Sequence, residues 1–175
     1  MKAYNIPYTG LKLGKHSFDF TLDSAFFEEF KYEDIHHSKI DVQIELEKSE
    51  VMIVAHINAQ GTIKVQCDRC NDLFETTIAA TGKVIFKYTD EEIDDDVIIG
   101  LLPSEHELKM ADPIYQTIII HLPIKFAHED EADCNQEMIE ILDEYRLVEE
   151  FEEEDEEPID PRWEALKNLN KDKNK

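Results

Sequence analysis

The residues best suited to chemistry are Cys67 and Cys70, a CxxC pair that flanks an Asp-Arg dipeptide. Alternating apolar residues precede and follow the pair, which places it at the tip of a predicted β-hairpin. Two thiolates in such a turn can approach one tetrahedral zinc ion, but a closed site needs two further ligands. His128 and Cys134, in the segment just after Pro123, are the candidates for this second pair of ligands.

Two other interpretations of the cysteine pair stay open. A zinc ribbon would contain a second CxxC, which this chain lacks, so the alternative to structural zinc is a turn with two ordinary thiols that braces the hairpin. A thioredoxin-like redox site matches less well, because that motif begins a helix in a βαβ unit and this one lies between strands.

The sequence contains none of the common catalytic motifs. There is no GxSxG, P-loop, GxGxxG or HExxH spacing, and the seven histidines are scattered. Catalysis by two carboxylates needs burial and a defined separation, whereas acidic runs such as residues 94–96 are predicted to be solvated. We therefore expect a binding protein that is not an enzyme.

Charge is distributed unevenly along the chain. The formal net charge of -23 comprises -10 in residues 1–127, -16 in residues 128–161 and +3 in residues 162–175. A field this negative repels phosphate backbones, so extensive contact with nucleic acid is disfavoured. A basic protein is the more natural partner.

Hydrophobic patterning predicts an α+β fold, with an antiparallel β-meander or partly closed barrel and a few short helices. Residues 40–46 and 51–57 alternate between apolar and polar positions and predict a hairpin with one solvated face. Gly61 is expected to break the second strand, and Gly82 separates two later strand segments. The remaining strands are predicted near residues 4–8, 18–20, 63–65, 73–78 and 84–88.

Helices are predicted where helical periodicity follows a start signal. Asp23 or Ser24 can cap a short helix that contains Phe26, Phe27 and Phe30. Asp112 is expected to cap a helix over residues 113–122, although Ile118, Ile119 and Ile120 also suit a strand. Residues 89–111 are expected to form a surface loop that touches the core. A further amphipathic helix is predicted after Cys134, from the spacing of Met138, Ile141, Leu142 and Tyr145.

The chain is predicted to contain one folded domain and an extension. Residues 1–148 form the single β-rich domain, residues 149–159 a mobile acidic linker, and residues 160–175 a short helix with a basic end. In that helix Arg162, Trp163, Leu166 and Leu169 are candidate partner-binding residues, since a buried Trp contributes strongly to binding. Docking of the helix on its own domain is the alternative.

The expected compartment is the cytoplasm. Three cysteines without a disulfide-like distribution, and ten first residues without an apolar export segment, indicate a reducing environment. No apolar run approaches the roughly 20 residues that cross a bilayer, so no membrane association is expected.

Four elements follow one another in an order that resembles the YceD family, a bacterial and plastid domain. They are the strand of residues 61–66 that leads into the CxxC turn, the helix that follows Asp112 and ends at His121, Leu122 and Pro123, the pair His128 and Cys134, and the run Asp160, Pro161, Arg162 and Trp163 before Leu166. The resemblance extends over nearly the whole chain, and the order is more specific than any single element.

The resemblance implies a role in ribosome biogenesis, because the family is associated with accumulation of large-subunit ribosomal RNA. It implies that Cys67, Cys70, His128 and Cys134 are the recurring polar positions, although relatives often have an additional cysteine near Cys134. We expect an accessory factor that binds a basic ribosomal protein or a pre-ribosomal particle. The alternatives are a direct RNA-binding or RNA-processing factor, with Arg69 and the basic tail on phosphates, or a metal-dependent enzyme of the same pathway.

Overall fold

The computed structural model describes residues 2–89 and 98–145. The chain divides into a compact unit of residues 1–140 and a second unit of residues 141–175, of which residues 141–145 are described. The predicted acidic linker and tail helix, with Arg162, Trp163, Leu166 and Leu169, lie outside the described residues. Within the described part of the chain, no helix is long and apolar enough to span a bilayer.

The described strands form a five-stranded sheet and a separate two-stranded sheet. They are β1 (Asn5–Pro7), β2 (Gly14–Leu22), β3 (His37–Lys48), β4 (Met52–Gln66), β5 (Leu73–Tyr88), β6 (Ile98–Leu101) and β7 (Glu107–Lys109). The large sheet has the order β2-β3-β4-β5-β6, in which β2 to β5 are antiparallel neighbours and β6 runs parallel to β5. Strands β1 and β7 pair antiparallel in the small sheet.

Three α-helices complete the described fold: α1 (Ser24–Glu29), α2 (Ala111–Ile119) and α3 (Gln136–Tyr145). Of the two predicted caps, Asp23 is the N-cap of α1: its carboxylate accepts a hydrogen bond from the Ala25 amide. Short 3-10 turns lie at Lys2–Tyr4 and Glu131–Asp133.

One face of the large sheet is buried because its strands alternate with a period of two. Along β3, every second residue from Ser38 to Leu46 is buried and the intervening residues are exposed. Phe26 and Phe27 of α1 and Ile114 and Ile118 of α2 belong to the same buried core. The opposite face of β3 remains polar, as the sequence predicted.

The predicted α+β class and antiparallel meander are confirmed, and the described strands do not close into a barrel. The break expected at Gly61 is wrong, because β4 continues through Gly61 and β5 continues through Gly82. A Cβ atom on Gly61 would lie 2.1 Å from the Lys39 carbonyl oxygen, and one on Gly82 would lie 2.4 Å from Thr117 Oγ1. Glycine therefore permits close packing at these positions and does not interrupt the strands.

Two further predictions need correction. The surface loop expected over residues 89–111 contains β6 and β7, whose pairing partners are distant in sequence. Helix α2 begins one residue before Asp112 and ends at Ile119, three residues short of the predicted end. Its N-cap is Met110, which makes no side-chain capping bond, while Asp112 lies in the first turn.

Candidate metal centre

The CxxC pair lies in the turn between the two longest strands, as predicted. Strand β4 ends at Gln66 and β5 begins at Leu73. Across this turn the Cys67 amide donates to the Asp72 carbonyl at 2.9 Å, and the Asn71 amide donates to the Cys67 carbonyl at 2.8 Å. Asn71 has a φ of 66°, a left-handed conformation that asparagine tolerates better than most residues. The turn leaves both cysteines almost fully buried.

The second pair of predicted ligands lies in the segment that leads to α3. His128 is half-buried, and its ring centroid lies 4.5 Å from that of Phe74 on β5. Cys134 follows the 3-10 turn Glu131–Asp133, which Asp130 caps by accepting a hydrogen bond from the Ala132 amide. Cys134 is also buried.

The structure brings all four predicted ligands together. Their ligating atoms lie within 4.8 Å of one another. His128 Nδ1 is 3.5 Å from Cys134 Sγ and 3.7 Å from Cys70 Sγ. Bond lengths typical of zinc, about 2.3 Å to sulfur and about 2.0 Å to nitrogen, give tetrahedron edges of roughly 3.5–3.8 Å. The residues present therefore fit a tetrahedral ion with three sulfur ligands and one nitrogen ligand, without an additional cysteine near Cys134.

The thiols of the site differ in acidity. Burial raises the pKa of Cys67, but hydrogen bonds from the main-chain amides of Cys70, His128 and Arg69, and from the Cys70 side chain, outweigh burial and lower this pKa to about 6. Burial raises the pKa of Cys134, and hydrogen bonds with Cys70 and Cys67 add to this effect while Arg69 opposes it. Because metals bind the thiolate form, the lowered pKa of Cys67 favours binding at neutral pH.

A small apolar cluster surrounds the site. Ile139 of α3 is buried with the three cysteines, and Phe74, Ala127 and Met138 pack against this group. The cluster is distinct from the main buried core, although Phe74 contacts both. An apolar shell with four protein ligands resembles a closed structural metal site more than a catalytic one, which keeps a position open.

Sequence reasoning missed what the two residues between the cysteines do. The Asp68 amide donates to the Phe126 carbonyl, and the Asp68 carboxylate accepts from the Phe126 amide, each at 2.7 Å. Arg69 donates to Cys134 Sγ at 3.7 Å and lies 3.9 Å from the Glu131 carboxylate. Their position inside the CxxC motif was the available signal, but nothing in the sequence identifies their partners.

The fold and this cluster define a β-sheet protein with a closed Cys3His arrangement at the end of its longest hairpin. The family profile described as "Large ribosomal RNA subunit accumulation protein YceD" matches residues 55–170, which is more than half of the chain. The chain belongs to the YceD family, as the order of its sequence elements indicated, and the family description implies a role in accumulation of the large ribosomal RNA subunit. Neither the curated proteins nor the solved structures include a match.

Proposed function

We propose that this protein is a non-catalytic accessory factor of large-subunit biogenesis, with a structural zinc ion at Cys67, Cys70, His128 and Cys134. It acts in the cytoplasm and binds a basic ribosomal protein or a pre-ribosomal particle. The observation that carries the proposal is the Cys3His cluster, with its three cysteines buried, in a chain of the YceD family. Membership of the YceD family supports a role in large-subunit biogenesis. The closed Cys3His cluster supports a binding protein over an enzyme.

The number of ligands supports a structural ion. A catalytic zinc site has three protein ligands and leaves the fourth position to water or substrate. Here the chain offers a fourth ligand, and apolar side chains pack around the cysteines. Zinc at this site would link the hairpin turn to the segment before α3 and stabilise both. A metal-dependent enzyme of the same pathway would instead need an open metal position.

Charge supports a basic protein partner. Residues 128–161 contain 17 acidic residues and a single basic one, Arg146. Such a segment accelerates the encounter with Lys- and Arg-rich proteins and repels bare phosphate. Trp163 and Leu166, which follow the acidic residues, would supply apolar anchors for a partner. A direct rRNA contact through the basic end of the chain remains the alternative.

The test is affinity purification of the tagged full-length chain at moderate salt. We expect recovery of a basic large-subunit protein or a pre-ribosomal particle, and loss of that partner in a W163A/L166A double variant. A matched control is Leu13→Ala, since Leu13 is 60% exposed on the folded unit. Recovery of no ribosomal component would refute the proposed partner. Recovery that resists nuclease indicates protein contact, whereas loss of the partner on nuclease treatment indicates RNA.

A further inference from the structure

We propose that Asp68 and Arg69, the two residues between the cysteines, are positioning residues that hold the second pair of metal ligands in place. This inference rests on the proposed metal site, but it concerns residues that do not bind the ion. The CxxC turn would then provide two ligands directly and orient the other two through these side chains.

Asp68 makes the shorter contacts with the segment that carries His128 and Cys134. Its main chain and its carboxylate each form a 2.7 Å hydrogen bond with the main chain of Phe126, which is 58 positions further along the chain. The bond to a carboxylate is charge-assisted and is therefore stronger than a neutral one. Phe126 lies two residues before His128, so this double bond fixes the start of the segment that carries both distant ligands.

Arg69 acts at the other end of the same segment. Its guanidinium donates to the sulfur of Cys134 and lies near the carboxylate of Glu131 in the turn before that cysteine. Three thiolates and a neutral imidazole around Zn2+ would carry a net charge of -1, which a nearby guanidinium offsets. A hydrogen bond to a thiolate also lowers its nucleophilicity. Arg69 is thus suited both to orienting the Cys134 sulfur and to protecting it.

A simple solvated turn would not produce this arrangement. Asp72 lies in the same turn, and its side chain forms no hydrogen bond or ion pair with any part of the chain that the structure describes. Asp68 and Arg69, by contrast, both direct their polar atoms toward the segment that contains His128 and Cys134. Asp72 therefore provides a control for the removal of a carboxylate from this turn.

The experiment is a Co2+ titration of the full chain, followed by competition for Zn2+ with a chromophoric chelator. We expect Asp68→Ala to weaken metal binding by about 10- to 100-fold, the usual effect of losing a partner that orients the ligands. Asp68→Asn should restore most of the affinity, because the amide oxygen can still accept from Phe126. Asp72→Ala should match the wild type. The cobalt spectrum should retain its tetrahedral sulfur–nitrogen signature throughout.

Arg69 has its own readout, which a purely structural role would not change. In the zinc-loaded protein, Arg69→Met should increase the rate at which iodoacetamide modifies Cys134, with little change at Cys70, whereas Lys64→Met should have no effect. Mass spectrometry locates the modification.

The outcomes distinguish this inference from the proposed metal site. Failure of the wild type to bind Co2+ or Zn2+ would refute the metal site itself. If the wild type binds but Asp68→Ala binds as tightly and Arg69→Met leaves Cys134 equally protected, the positioning role is wrong. Circular dichroism of each variant shows whether the sheet is intact, and the Arg69→Met and Lys64→Met comparison still tests the inference if Asp68→Ala does not fold.

Discussion

His128 Nδ1 lies 3.5 Å from the sulfur of Cys134, six residues further along the chain, and 3.7 Å from the sulfur of Cys70 in the hairpin turn. One imidazole nitrogen therefore lies between the two halves of the site. In a tetrahedral zinc complex a nitrogen and a sulfur ligand are separated by roughly 3.6 Å, so these two distances match those expected around a bound ion.

The first prediction concerns metal content. Protein purified without chelators should contain one equivalent of zinc, and His128→Asn or Cys67→Ser should lose most of it because a structural site needs four ligands. His56→Asn is the matched control, since His56 is exposed on β4 and belongs to no cluster of metal-binding residues in the described chain. Elemental analysis of the three variants decides the result. Zinc retained equally by all of them would place the metal elsewhere.

The second prediction concerns metal-free protein and pH. The pKa of Cys67 is about 6 in the fold and has an ordinary value of 9.0. Because the folded value is lower, the contribution of Cys67 to stability is fully present above pH 9.0, decreases as the pH falls, and is lost below about pH 6. The free energy of unfolding of the wild type should thus rise with pH between these values relative to Cys67→Ser.

Urea denaturation of metal-free protein at several pH values measures this difference. The Cys67→Ser variant is the reference that separates the contribution of this thiol from that of every other titratable group. The raised pKa of Cys134 has the opposite sign, since it favours the fold at lower pH and ceases to do so as the pH rises above its ordinary value. A constant difference between wild type and variant from pH 6 to 9 would show that the metal-free fold does not lower the pKa of Cys67.

The third prediction concerns the contact between α2 and β5. Gly82→Ala should destabilise the protein by roughly 1–3 kcal/mol, the usual cost of overpacking, because its Cβ would lie 2.4 Å from Thr117 Oγ1. Gly10→Ala should change stability little, since nothing lies within 4 Å of the added carbon. Thermal unfolding measures both.

Thr117→Ala completes a double-mutant cycle for this contact. The substitution removes the clashing oxygen and methyl group, but it also removes the 2.7 Å hydrogen bond that Thr117 donates to the Pro113 carbonyl. The double variant should therefore be more stable than the sum of the single effects predicts. Simple additivity would argue against direct packing of Gly82 on Thr117.

The fourth prediction concerns what zinc holds in place. The cysteines and Ile139 form a buried cluster distinct from the main core. Removal of zinc should therefore increase hydrogen exchange in residues 123–135, while β3 and the first half of β4 stay protected. Mass spectrometry of peptides from both regions tests this. A uniform loss of protection would mean that the entire fold depends on the ion.

The sequence predicted the parts of the fold that depend on local patterns. Alternation in β3 and β4 identified the hairpin and its buried face, and the pair Asp23 and Ser24 identified the start of α1. Predictions failed where a distant partner decides the structure. Gly61 reads locally as a strand break, but its missing side chain accommodates the Lys39 carbonyl of the neighbouring strand. The parallel strand β6 likewise depends on pairing with β5.

The candidate site was likewise predictable only in part. The spacing of Cys67 and Cys70 was sufficient to predict a pair of ligands in a turn, whereas His128 and Cys134 could only be proposed from their position after Pro123 and from a family resemblance. The sequence interpretation has Arg69 contact phosphates, because a sequence gives the charge of a residue but not its neighbours in space. In the fold it is near a sulfur and a carboxylate.

The two halves of the site are far apart along the chain, and this affects how freely the length of the intervening chain can vary within the family. Cys70 and His128 are 58 positions apart, so a shared metal ion would act as a cross-link that closes a long loop. The entropy of closing such a loop grows only logarithmically, by about 0.6 kcal/mol for each doubling of its length. Insertions between β5 and α2 should therefore cost little through loop closure, and relatives can lengthen this region while keeping the same four ligands.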